Sequence, residues 1–174
     1  MAFSLYDAVV PAWQQILPGV LGVIDKAEAH CREHGIAPSE LIEARLAPDM
    51  WDFATQIRTV AAHSGGAVNG VREGVFAPAF DPPPADFAGL RGMLRNALDA
   101  VNAATRDDID GRIGSDTVFR FPGREMVFTS EDFLTSFSLP NFYFHASAAY
   151  AIMRMKGVAI GKMDFLGQVR IKPA

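Results

Sequence analysis

Asn141 and His145 stand four residues apart in Leu139-Pro-Asn-Phe-Tyr-Phe-His145. On a helix that spacing sets a carboxamide and an imidazole one above the other on the same face. Two such groups can share one ligand. Extending the stripe gives Leu134 and Ser138 on one side and Ala148 or Ala149 and Ile152 on the other, apolar at its ends and polar in the middle. That is the pattern of a small buried polar site. Pro140 removes a backbone donor one residue before Asn141 and so distorts the helix at the site itself. An earlier helix offers a second polar flank in Asp52, Gln56, Thr59 and His63. The small residues Ala61, Ala62, Ser64, Gly65, Gly66 and Ala67 surround His63, permit close helix approach and predict that its ring is covered. His30, Cys31 and His34 also lie together, but Lys26, Glu28, Arg32 and Glu33 around them mark a solvated helix end rather than a metal cluster.

Four helical stretches must position these groups. Apolar residues at Leu5, Val9, Trp13, Ile16, Leu17, Val20, Leu21 and Ile24 predict a first helix over 4–34, with Ser4 and Asp7 at its start, Pro11 and Pro18 bending it and Gly35 ending it. Residues 38–46 read as a connector. A second helix is expected from an Asp49 cap to Gly70, and a third over 86–104 with Leu90, Leu94, Leu98 and Val101 inward. Between them Pro78, Pro82, Pro83 and Pro84 mark a crossover loop. Residues 117–121 and 124–128 are β-prone runs about Pro122-Gly123, a hairpin whose phenylalanines must rest on the helices. Thr129 with Asp132 caps a fourth helix over 130–156, and the tail 157–174 wraps irregularly. The expected fold is an all-α, up-and-down four-helix bundle in a single domain over residues 1–174, with a long crossover between helices 2 and 3 and a small hairpin before helix 4.

Composition narrows the functions. With 49% hydrophobic and 21% charged residues the chain is ordered, and a net charge of −4 with no Lys/Arg cluster argues against nucleic acid. One cysteine and no apolar leader ahead of the first helix predict a cytoplasmic protein. Asp25, Arg58 and Arg154 interrupt the longest apolar runs, so no membrane partner is expected. Trp13, Trp51 and thirteen phenylalanines exceed what one small core needs, which predicts a homodimer.

A histidine in helix 2 and a second in helix 4, nine residues before the Arg of Ala-Ile-Met-Arg-Met-Lys-Gly, together resemble the DinB/YfiT-like superfamily of metalloenzymes. Ala-Arg-Leu-Ala-Pro-Asp-Met at 44–50, Pro-Asn-Phe-Tyr-Phe-His at 140–145, Ala-Tyr-Ala-Ile at 149–152 and Lys-Met-Asp-Phe-Leu-Gly at 162–167 resemble a bacterial branch of it classed as a domain of unknown function. The resemblance implies the DinB-like bundle, frequent dimerisation and a divalent metal held by three histidines. By position these are His63, residue 141 and His145. Asn141 fills the middle place, and an amide oxygen is a weaker ligand than imidazole for zinc, nickel or iron. A metal there is expected to be weakly bound or absent.

Three functions compete. In the first, His63, His145 and Asn141 hold a cation that activates a thiol or water for a transferase or hydrolase, with Asp52 or Tyr143 as candidate catalytic residues. In the second, the same three side chains orient a small-molecule ligand without metal, in a pocket including Gln56, Phe142, Phe144 and Met153. In the third they only fix helix register. No phosphate loop, nucleophile elbow or dinucleotide fingerprint is present.

Overall fold

The computed structural model describes residues 4–172, a mostly helical chain with one small three-stranded sheet. Helix α1 (Leu5–His34) begins where Ser4 Oγ accepts from the Asp7 amide and ends at Gly35 in the left-handed region, φ 65°. Pro11 and Pro18 lie inside it without ending it. By length and composition α1 can span a bilayer, a correction to the reading that no segment can. Half of its most apolar window is buried inside the protein, as in a core helix.

After the one-turn helix α2 (Ser39–Ile42) in the connector, the second helical segment starts later than its sequence implies. Phe53 N bonds the Ala44 carbonyl at 2.9 Å, holding the intervening residues in a loop, so Asp52 rather than Asp49 is the cap. The segment comprises α3 (Phe53–Ala61), a π segment (Ala62–Gly66) and α4 (Ala67–Glu73). It continues through Gly70 and stops at Gly74, φ 74°. Gly70 serves close approach instead: a Cβ there would fall 2.9 Å from Phe76 Cβ. At Gly65 the contact is tighter, since a Cβ would meet Ala97 Cα at 2.6 Å. That residue belongs to α5 (Phe87–Asn102), capped by Asp86, on which Leu90, Leu94 and Val101 are fully buried and Leu98 half-buried.

After α6 (Arg106–Asp110), strands β2 (Asp116–Phe121) and β3 (Arg124–Thr129) form the expected hairpin, antiparallel with Val118 opposite Val127. A third strand, β1 (Val75–Phe76), adds parallel to β2, so the fold is not purely helical. Two residues carry no readable period, and pairing alone makes them a strand. Thr129 Oγ1 caps α7 (Ser130–Asp132), which passes into a second π segment (Phe133–Ser138) and then α8 (Leu139–Met155), with Pro140 in its first turn. The phenylalanines of the sheet do rest on this segment. Phe119 and Phe128 pack on Phe137 at 5.1 and 5.3 Å, and Phe76 packs on Phe133 at 5.1 Å. Helices α1 and α3 each pack against both α5 and α8, and α9 (Lys162–Leu166) lies on α1.

Candidate functional site

The histidines arrive from two different helical segments. His63 sits in the first π segment, where its own backbone leaves helical geometry at φ −84°, ψ 16°. His145 lies on the regular part of α8, one turn after Asn141. Their rings are nearly parallel, 8° apart, with centroids separated by 6.5 Å.

Each imidazole is held by a polar neighbour whose own hydrogen bond fixes which way the proton points. Gln56 Nε2 donates to the Trp51 carbonyl at 3.1 Å, so its Oε1 must face His145 Nδ1, 2.6 Å away. An amide oxygen only accepts, hence Nδ1 of His145 carries the hydrogen. Ser138 Oγ donates to the His63 carbonyl at 3.1 Å, which uses its one hydrogen and leaves lone pairs for His63 Nδ1 at 3.3 Å. Nδ1 of His63 is therefore protonated as well. In both rings the lone pair falls on Nε2, which has no protein partner among the described residues. Burial lowers the His63 imidazole to about 3, with a smaller push from His145, and burial lowers His145 to about 4. Both rings are neutral at physiological pH.

Asn141 completes the arrangement. Its Nδ2 donates to the Phe137 carbonyl at 2.7 Å, and this orientation leaves Oδ1 as the unused atom. His63, Asn141 and His145 all line one cavity of about 160 Å³. Trp51, Phe80, Phe119 and Phe137 form its apolar walls, Arg58 and Thr59 its polar margin, and Pro78 and Ala79 of the crossover loop close one side. Trp51 is half-exposed and stacks on His145 at 5.4 Å.

Asn141 and His145 from one sequence stripe and His63 from the other thus line a single cavity, with Gln56 and Ser138 behind the rings. The other candidates lie elsewhere. Asp52 caps α3 through the Thr55 amide and pairs with Arg45 at 3.5 Å. Tyr143, on the opposite side of α8 from Asn141 and His145, does not line the cavity. Phe142 points into the core against Trp13, Met153 is fully buried, and Phe144 is 60% exposed with its ring edge-on to His145. None of these three lines the cavity, because successive residues on a helix face different directions. Trp51, Arg58, Phe80 and Phe119 were not legible as lining residues; they come from the loop before α3, the outer side of α3, the crossover and the sheet. His34 Nδ1 contacts the His30 carbonyl at 3.0 Å at the end of α1, and Cys31 is buried.

The donors can be tested against the metal that the resemblance implies. Among the described residues no three His, Cys, Asp or Glu side chains converge. Two imidazole nitrogens and one amide oxygen do share a cavity, both rings in the tautomer a ligand needs and both held from behind. Sharing one tetrahedral ion at bonds of about 2.0 Å would require ring centroids roughly 5 Å apart, so the nearly parallel rings would have to approach by about 1 Å and turn both Nε2 atoms to a common point. The donor types are ones a divalent cation accepts, with the amide the weakest of the three.

The fold belongs to a known class. A crystal structure of a DinB family member protein from Shewanella denitrificans superimposes with a TM-score of 0.81 and 27% identity, over 98% of this chain and 96% of that one. The chain adopts a DinB-like fold. Residues 5–166 match the model of the domain of unknown function DUF1993, and the chain belongs to that family. No curated protein matches it.

Proposed function

We propose that this DUF1993 member is a divalent-metal-dependent enzyme of transferase or hydrolase type, with His63 and His145 as principal ligands and Asn141 as a weak third. In this reading its four helical segments run as an up-and-down bundle that brings the second and fourth together at the site. The supporting observation is the matched protonation of the two rings, each with Nδ1–H donated to a fixed acceptor and Nε2 left bare. A cation bound there would lower the pKa of a coordinated thiol or water. The chain's own residues do the rest. Gln56 and Ser138 orient the rings, burial keeps them neutral, and Phe80, Phe119 and Phe137 limit water. A second reading, a metal-free site for a small ligand, draws on the amide at position 141 and on a cavity whose inner wall offers lone pairs.

Titration of the wild-type protein and of Asn141→His with zinc and nickel, followed by thermal melts, separates them. Wild-type protein should bind weakly and the variant at least about tenfold more tightly, as imidazole replaces an amide. If neither takes up metal and the variant is destabilised by about 1–3 kcal/mol through loss of the bond to Phe137, the metal reading fails.

A further inference from the structure

The cavity is one-sided in its chemistry. His63 Nε2, His145 Nε2 and Asn141 Oδ1 offer lone pairs and no hydrogen, and among the described residues no carboxylate lines the cavity. The single formal charge on its wall is Arg58. Its Nη1 donates to the Asp81 carbonyl at 2.6 Å, a bond that leaves the guanidinium charge uncompensated and most of its five N–H groups available. A divalent cation held by neutral imidazoles and an amide would add charge without cancelling any. Such a site attracts an anion.

We propose that the cavity takes a small anionic molecule whose carboxylate, or equivalent anionic group, pairs with Arg58 while a proton-bearing heteroatom, thiol or hydroxyl, meets the histidine pair. The volume of about 160 Å³ admits a short acid, and Phe80, Phe119 and Phe137 pack its carbon chain. A neighbouring groove of about 440 Å³, which Glu73 also lines, shares Arg58, Ala62, Pro78 and Ala79 with the cavity, so the guanidinium borders both spaces. The proposal deepens the metal reading but does not depend on it. Without metal the same heteroatom donates a hydrogen bond to an Nε2 lone pair and keeps its proton.

Mercaptoacetate and 2-mercaptoethanol are matched probes: both carry the thiol, and only the first carries a carboxylate. Calorimetric titration of each into metal-free and zinc-loaded protein should show mercaptoacetate binding about tenfold or more tightly than the neutral thiol. Arg58→Gln should erase that preference, while Arg58→Lys should keep its direction with a smaller ratio. Zinc affinity measured separately should be the same in all three proteins, since Arg58 is not a ligand. Equal binding of the two probes to wild-type protein, survival of the preference in Arg58→Gln, or no binding of mercaptoacetate at millimolar concentration would each overturn the proposal. Failure of zinc to bind, with the preference intact in metal-free protein, would overturn only the metal reading.

Discussion

Helix α1 runs thirty residues without a break although two prolines lie inside it, while the two segments that carry the histidines each contain a π segment and neither π segment contains a proline. The difference follows from what each helix must satisfy. α1 has an apolar stripe to bury, with Val9, Trp13, Leu17 and Ile24 fully covered, and a regular helix does that best. The other two must aim polar side chains at a common point. In both, hydroxyls take up carbonyls: Ser64 Oγ bonds Val60 O at 2.7 Å, and Thr135 and Ser136 bond the carbonyls of Glu131 and Asp132 at 2.7 and 2.6 Å. Such widened turns re-aim side chains and concentrate at working sites. Regularity builds the frame here, and its local loss builds the site.

Acid should expose the contrast most strongly. Both rings have folded pKa values below the unfolded histidine value near 6.5, so below that pH the unfolded chain takes up protons that the folded chain refuses. Their neutral burial costs nothing above pH 6.5. Stability should fall as the pH drops towards 4, by up to roughly 3 kcal/mol from each ring. Urea melts from pH 7.5 to 4 measure this, and His63→Phe should flatten the slope by about half. A pH-independent melt would mean that the rings are not buried as described.

Next comes the frame. Leu17→Ala on α1 should cost about 2–5 kcal/mol at any pH and leave zinc affinity unchanged, because the side chain is fully buried and does not line the cavity. A change in metal binding would show that frame and site are not separable. Smallest is Gln56→Leu, which orphans the Trp51 carbonyl and His145 Nδ1 and should cost about 1–3 kcal/mol. Nitrogen NMR of the His145 ring should report a loss of the pure Nδ1–H tautomer in this variant. An unchanged ring spectrum would leave Gln56 as packing only.

The same contrast explains what could be read in the sequence. Apolar periodicity indicated all four long helical segments, and Ser4 and Thr129 marked starts because a capping side chain acts within three residues of itself. Asn141 and His145 could be paired from the sequence because helical spacing alone aligns them, whereas His63 on another helix joined them only through the family resemblance. The π segments were not, since a wider turn leaves residue types unchanged. Asp49 was mistaken for the cap because the bond from Phe53 to Ala44 spans nine residues and has no local signature. Arg58 was read only as a charge interrupting an apolar run. Its role depends on a crossover loop whose path no spacing rule predicts.

Gly65 lies two residues after His63 with no room for a side chain against Ala97. Neither Gly65 nor Ala97 lines the cavity, yet a methyl group at 65 must push apart α5 and the segment that bears His63. Drift at Ala97 and its neighbours is therefore filtered by the geometry of a ring on the far side of another helix. Two lineages that keep every lining residue identical can still diverge in what the cavity accepts, through a one-carbon change in the spacer behind it.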